Sequence, residues 1–232
     1  MSTTNSDSIY DRVVQHIFFS GHVTPGSKVV EKKLADHLGV SRIPIRETLR
    51  QLSGQGLLVS DHNGQGARLR NYTAEDIRQL YELRELLEGG AARAAARSAT
   101  DTDVARMEMI CDQTAAEVGD YGSKKWADLD HAFHDALADA CHNERIARAL
   151  KQLLMECHYV FYLYPSHYAR PKPSPEVAKA RMQDVLNDHQ TLLRLIRAGD
   201  ADGAEKKARE DMRVSNDRYT QDLLARDLAE RM

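Results

Sequence analysis

The sequence predicts a mainly α-helical protein of two domains, residues 1–72 and residues 73–232. Apolar residues recur at the spacing of an α-helix through most of the 232-residue chain. Apart from one proline-rich loop, YPSHYARPKPSPE, glycine and proline become rare after Thr73, whereas the first domain contains several turns and two short strand-like runs. The net charge also differs between the two parts of the chain. Nine Lys and Arg against six Asp and Glu give +3 through residue 74, and since the whole chain carries −3, the remainder carries −6.

The composition excludes several classes of protein. With 42% hydrophobic and 29% charged residues, the chain is typical of a soluble globular protein. Its polar amino end, MSTTNSDS, lacks the apolar run of a signal peptide, and no apolar run approaches the length of a membrane span. The three cysteines, Cys111, Cys141 and Cys157, form no C-x-x-C pair. We therefore expect a cytoplasmic protein with no membrane partner.

The first domain is predicted to contain three helices followed by a hairpin. Apolar residues at helical spacing indicate a first helix that Gly21 stops and a second, over residues 31–38, that Gly39 ends. Ser41 is placed to cap a third helix over residues 42 to about 53. Two strand-like runs then flank an Asn-Gly pair, which is a strong hairpin signal. This order of elements is that of a winged helix-turn-helix.

Arg42, Arg46 and Arg50 form a row on one side of the third predicted helix, and its apolar residues fall on the other side. The fork of an arginine can span guanine O6 and N7 or clamp a phosphate, so the row is suited to a DNA groove. The hairpin would be the wing, where small residues let the backbone approach DNA closely: Asn63, Gly64 and Gly66. A solvated basic edge beside an arbitrary hairpin is the alternative, but the order of the elements favours DNA binding.

Residues 29–69, VVEKKLADHLGVSRIPIRETLRQLSGQGLLVSDHNGQGARL, closely resemble the GntR-family signature. That signature reads E-x-x-L-A-x-x-L-G-V-S-R-x-P-V-R-E-A-L-x-x-L before E-G-L and a Gly-x-Gly wing, and the departures here are Ile45, Thr48 and Gln55. The resemblance implies a homodimer that binds a palindromic operator in double-stranded DNA. It also implies DNA contacts from Lys32, Ser41, Arg42, Arg46 and the wing around Gly64 to Gly66.

The second domain is predicted to be an all-α helical bundle. Thr73 is placed to cap its first helix. The apolar stripe predicted for that helix consists of Ile77, Leu80, Leu83, Leu87 and Ala91. Further helices are expected over residues 101–117, 124–141, 143–163, 176–198 and 201–228.

Four ionisable residues occupy or border the apolar faces of three of these helices. Asp130 and His134 lie four residues apart at the edge of one face, His189 fills a vacant position in a second, and Asp211 lies in the middle of a third. A buried carboxylate is costly unless it is paired or coordinated, so the four residues are a candidate site for a divalent metal. The alternatives are a hydrogen-bonded core histidine and an aspartate paired with an arginine.

The second domain resembles the FCD domain, the all-helical effector module of FadR-type GntR regulators. The resemblance lies in R-x-x-L-E at residues 84–88, in D-x-x-x-F-H or D-x-x-F-H around residues 130–134, and in H-x-x-L-x-x-A-I-x-x-G-D at residues 189–200, where Leu195 replaces the alanine. It implies a zinc, manganese or nickel ion on Asp130, His134, His189 and Asp211. The family usually has histidine at the position of Asp211, and a carboxylate there favours a harder ion such as Mn²⁺, or marks a site that has lost its metal.

These resemblances imply a ligand-responsive transcription regulator, which in this family is most often a repressor. A small carboxylate effector would complete the coordination of the metal, assisted by Arg84, for which a surface salt bridge with Glu88 is the alternative. Two other functions stay open. One is a metal-dependent enzyme with an appended DNA-binding module, and the other is a constitutive architectural DNA binder with a filled helical core.

Overall fold

The computed structural model describes the chain over five stretches, residues 8–20, 22–60, 67–119, 123–163 and 174–229. The chain separates into two compact units, which we call domain one, Met1–Tyr72, and domain two, Thr73–Met232. Within the five stretches, no helix has both the length and the apolar character needed to cross a membrane.

The described part of domain one contains three α-helices: α1 Ile9–Val14, α2 Glu31–Leu38 and α3 Arg42–Gly54. The first of them continues into a π-helical turn, Gln15–Phe19. Gly39 ends α2 with φ +66°, a left-handed conformation that glycine adopts without steric cost, so the predicted end is confirmed. Ser41 precedes α3 as predicted, but its hydroxyl makes no capping hydrogen bond. Gly21, the predicted stop of the first helix, lies outside the described residues.

A three-stranded antiparallel sheet completes domain one, with strands β1 Lys28–Val29, β2 Leu58–Ser60 and β3 Ala67–Leu69. Strand β3 lies in the centre, where Arg68 is opposite Lys28 on one side and Val59 on the other. The two strands of the predicted hairpin are therefore confirmed, while its tip, residues 61–66, lies outside the described residues. Strand β1 lies where the sequence predicts only a turn, because two residues are too few to show alternation.

The described part of domain two consists of six helices: α4 Ala74–Ser98, α5 Asp101–Ala116, α6 Lys124–Ala140, α7 Glu144–Leu163, α8 Pro175–Arg197 and α9 Ala201–Ala229. Thr73 caps α4 as predicted: its hydroxyl accepts a hydrogen bond from the N–H of Asp76, and the Asp76 carboxylate accepts one from the N–H of Thr73. Helix α4 packs along α9 and also contacts α6, α7 and α8. The core between the helices includes Met107, Phe133, Leu137, Leu150 and Leu154.

The predicted stripe of α4 is confirmed at Ile77 and Ala91, which are buried, while Leu80 and Leu87 are partly buried. It is wrong at Leu83, which is 46% exposed, and the buried residues near it include Arg84 and Glu88. Periodicity alone does not place a charged pair inside, but the opposite charges of Arg84 and Glu88 neutralise each other and make burial of both side chains acceptable. The leucines left outside, Leu83 and the 59% exposed Leu86, give α4 an apolar outer surface.

Candidate functional site

The first candidate site is the outer surface of α3 with its neighbours on α2. All of the predicted DNA-contacting residues that the structure describes are exposed: Lys32, Ser41, Arg42, Arg46 and Arg50. On the opposite side of α3, Ile45 and Leu52 are fully buried, so the helix is anchored to its domain and the arginine row stays in solvent. The predicted wing residues, Asn63, Gly64 and Gly66, lie outside the described residues.

Glu31, at the start of α2, holds two arginines of the row. Its carboxylate accepts hydrogen bonds from Nη2 of Arg42 and from Nε of Arg46, each at 3.3 Å. The hydrogen bond from Arg46 is the main reason that the pKa of Glu31 lies below its ordinary value. Sequence reasoning missed this residue, because Glu31 is 11 and 15 residues away from its partners. The two guanidinium groups are thus oriented side by side before any DNA is bound.

Ile43 adds an apolar element to the same surface. Its side chain is 68% exposed, although isoleucine is usually buried. At 100° per residue it projects close to the direction of Arg46 and Arg50. An exposed apolar group beside a guanidinium row can contact the methyl group of thymine in the major groove. The surface therefore combines hydrogen-bond donors with an apolar group, and both kinds of group can contact base edges in the major groove.

The second candidate site lies in domain two, where three of the four predicted metal ligands meet. Asp130 and His134 are one turn apart on α6, and His189 comes from α8. One ligand atom from each residue lies within 4.8 Å of the others. Oδ1 of Asp130 is 4.0 Å from Nε2 of His134 and 3.7 Å from Nε2 of His189. An ion about 2.0–2.2 Å from each donor can join atoms up to about 4.4 Å apart, and both distances from Asp130 lie below that limit, so the three residues are a candidate site for a divalent metal.

Glu88 orients one of these donors. Its Oε2 is 2.7 Å from Nδ1 of His134, and both side chains are almost fully buried. A carboxylate only accepts hydrogen bonds, so Nδ1 carries a proton, and in the neutral ring the lone pair is then on Nε2, which is the atom near Asp130. The other carboxylate oxygen, Oε1, accepts hydrogen bonds from Nε and Nη2 of Arg84 at 2.8 and 2.7 Å. A carboxylate behind a ligating histidine is a recurrent feature of metal sites.

The protonation states of the buried groups suit this arrangement. Burial would raise the pKa of Glu88, but the charge of Arg84 and the interaction with His134 outweigh it, and the pKa falls to about 2. Burial, with His134 adding to it, lowers the pKa of His189 to about 3, so its imidazole is neutral and offers a lone pair. The ring of His189 is held in place by Phe133, which stacks on it with centroids 3.9 Å apart.

Asp211, the fourth predicted ligand, is not brought into this group. Its carboxylate accepts a hydrogen bond from Nζ of Lys207 at 2.7 Å, and the same ammonium group is 2.5 Å from Oδ1 of Asp188. Burial raises the pKa of Asp211 to about 6, against the lowering effect of Lys207. The Lys207 ion pair therefore accounts for Asp211 without a metal, although Asp211 lines the same cavity as the three donors.

Two adjoining cavities open beside the donors. The inner cavity is lined by Glu88, Asp130, His134, His189 and Asp211, among others. The outer cavity extends past Trp126, His131, Cys157, His158 and Arg181. The two share a wall made of Tyr81, Arg84, Asp130, His134, Val185, Arg218 and Tyr219. Arg84 is buried in this wall, so its salt bridge with Glu88 is an internal one and not the surface pair that the sequence left open.

Two family models match the chain. Residues 79–214 match the FCD domain, and residues 5–68 match the model described as bacterial regulatory proteins, gntR family. The second match covers the helices and strands of domain one, and the first covers the donors and the cavity walls up to α9.

The sequence of the chain is also similar to those of two bacterial transcriptional regulators. The chain is 34% identical over 135 residues to the Nta operon transcriptional regulator of Aminobacter aminovorans, an alignment that covers 58% of this chain and 63% of that protein, which is less than two thirds of its length. It is 31% identical over 204 residues to the HTH-type transcriptional regulator LutR of Bacillus subtilis (strain 168), covering 80% of this chain and 88% of LutR.

A solved structure has the same fold. E. coli McbR/YncC superimposes with a TM-score of 0.72 at 20% sequence identity, and the alignment covers 93% of this chain and 98% of that one. At that level of identity the similarity concerns the fold alone.

Proposed function

Because the chain belongs to the gntR family of bacterial regulatory proteins and carries an FCD domain, we propose that it is a cytoplasmic transcription regulator whose DNA binding responds to a small organic acid held in domain two at a divalent metal. Its relatives are transcriptional regulators and not enzymes. The observation that carries the proposal is the convergence of Asp130, His134 and His189 on one point beside a cavity.

The donor set supports an exogenous ligand. Three protein donors leave coordination positions open on zinc, manganese or nickel, as in sites where the metal binds a further molecule. When bound, the metal would supply a positive charge and a fixed position for one carboxylate group. Arg84 lines the same cavity and has N–H groups beyond those that it donates to Glu88. A short carboxylic acid is therefore the ligand class that the residues favour.

DNA binding is assigned to domain one. Lys32, Ser41, Arg42, Arg46 and Arg50 would contact the operator, and Asn63, Gly64 and Gly66 would form the wing. A homodimer would place two copies of α3 on the two halves of a palindrome. The exposed Leu83 and Leu86 of α4 support dimerisation, because apolar side chains of this size are rarely left in water next to each other.

An acid can change DNA binding only if it binds one arrangement of the dimer more tightly than another. We infer that the protein is a repressor that the acid releases from its operator. The architectural alternative requires a filled helical core in domain two, and the polar cavities next to buried His134 and His189 argue against it.

Fluorescence anisotropy with a DNA fragment from the protein's own promoter tests this function. The Mn²⁺-loaded protein is expected to bind the fragment about 1,000-fold or more tightly than a scrambled duplex. A short organic acid should then weaken operator binding by about 5–150-fold, and EDTA should remove that effect. Equal affinity for both duplexes would contradict sequence reading. Operator binding that no acid alters would favour the architectural binder, and turnover of an acid would favour the enzyme.

Glu88 provides a sharper test of the metal site. Replacing Glu88 with glutamine is expected to lower the affinity for the metal by about 10–100-fold, because a neutral amide attracts the Nδ1 proton of His134 less strongly and orients the ring less well. Competition against a fluorescent chelator measures the change. Glu85→Gln is the matched control, since Glu85 lies on the same helix and pairs with Arg213. An unchanged affinity in Glu88→Gln would remove Glu88 from this role.

A further inference from the structure

Arg218 on α9 differs from the other cations of that helix. In the part of α9 whose side chains the structure describes, every other Lys and Arg has a carboxylate partner: Lys206 with Glu210, Lys207 with Asp188 and Asp211, Arg209 with Glu205 and Glu85, and Arg213 with Glu85. Within the described residues Arg218 has none, although it is only partly exposed and lines both cavities.

The carboxylates around the inner cavity are already engaged. Glu88 bonds Arg84 and His134, and both Asp188 and Asp211 bond Lys207. Asp130 faces His134 and His189. None of these carboxylates forms an ion pair with Arg218 among the described residues. The guanidinium group of Arg218 lies where the two cavities adjoin. Its coplanar N–H groups can donate two hydrogen bonds to an anion such as a carboxylate.

The size of the cavities limits that anion. They measure about 70 and 50 Å³ and share a wall, so even together they have room for a small molecule only. A ligand that reaches both the three metal donors and Arg218 must therefore be short. Because one end would meet the metal and the other a guanidinium group, both ends should be anionic.

We propose that Arg218 binds the second carboxylate of a short dicarboxylic acid whose first carboxylate lies at Asp130, His134 and His189. The inference rests on the proposed function, since it assigns the effector to one class of organic acid. It makes Arg218 the residue that distinguishes dicarboxylates from monocarboxylates of the same length. The charge-assisted, two-pronged pairing of a guanidinium group with a carboxylate supplies the difference in affinity.

Calorimetry on the full-length, Mn²⁺-loaded protein tests this assignment. The probes are malonate, succinate and glutarate, compared with propionate, butyrate and valerate. At least one dicarboxylate is expected to bind about tenfold or more tightly than the monocarboxylate of equal length. Arg218→Gln should abolish that preference by weakening dicarboxylate binding far more than monocarboxylate binding, and Arg218→Lys should retain part of the preference. Arg213→Gln, on the same helix but paired with Glu85, should behave like the wild type.

The outcomes separate this inference from the function on which it rests. If the wild type binds both classes equally, or if Arg218→Gln keeps the preference, the role of Arg218 is overturned while the acid-binding function stands. If no acid of either class binds the metal-loaded protein, the proposed function itself fails and the inference fails with it. Melting curves of each variant confirm that a lost preference does not arise from unfolding.

Discussion

Replacing His189 with alanine is expected to lower the affinity of the protein for a divalent metal by about 100-fold or more. His189 supplies one of only three donors, and the loss of a ligand should exceed the 10–100-fold effect of losing a residue that merely supports one. The imidazole is buried, neutral and stacked on Phe133, so its position beside Asp130 is fixed. Elemental analysis and chelator competition with Zn²⁺, Mn²⁺ and Ni²⁺ measure the change.

Two controls make that result specific. His142→Ala removes a histidine that lies outside the donor set and faces Asp103, and should leave the metal affinity unchanged. Asp211→Asn should have a smaller effect than His189→Ala, because the structure pairs Asp211 with Lys207. If folded His189→Ala protein bound the metal as tightly as the wild type, His189 would not be a metal ligand. A large loss in Asp211→Asn would instead restore Asp211 as the fourth ligand.

Replacing Arg46 with alanine is expected to cost about 1–3 kcal/mol of operator binding, a loss of about 5–150-fold. Arg46 is exposed in the middle of the row on α3, and Glu31 holds its guanidinium group in place. If Arg46 contacts a base, the wild type should prefer one base at a single position of each half-site. Arg46→Ala should lose that preference and bind operators with other bases at that position about equally well. Anisotropy titrations against a set of operators with single base changes measure both effects.

The matched control removes an exposed arginine elsewhere. Arg145 lies on α7, has no ion pair among the described residues, and carries the same charge. Arg145→Ala should leave the operator affinity nearly unchanged at fixed salt. If Arg46→Ala weakened all duplexes by the same factor, Arg46 would be a phosphate contact and the assignment to a base would be wrong.

Much of domain one and most helix bounds could be predicted, because their signals are local. Gly39 ends α2, Thr73 caps α4, and the arginine row alternates with an apolar side within a single helix. Asp130 and His134 could be paired for the same reason, since residues four apart on a helix lie on one side. Each of these features depends on residues within about one turn of each other.

The remaining features depend on residues far apart in the chain. Glu88 forms a hydrogen bond with His134, which is 46 residues away in the sequence, and Glu31 accepts one from Arg46, which is 15 residues away. On α4 the prediction was wrong at Leu83, because hydrophobic periodicity favours a leucine over a charged pair at a buried position, whereas pairing with Arg84 makes burial of Glu88 acceptable. Helical spacing could have paired Lys207 with Asp211, four residues later, but it could not show that the same ammonium group also binds Asp188, 19 positions away.

The most direct test of the central claim is reciprocal linkage between the two domains. The tightest of the six acids is titrated into Mn²⁺-loaded protein with and without saturating operator, and the operator is titrated with and without the acid. We expect both experiments to give the same factor, about 5–150-fold, and we expect it to vanish in His189→Ala. An acid that binds free and operator-bound protein with equal affinity would show that the cavity of domain two does not control the arginines of α3.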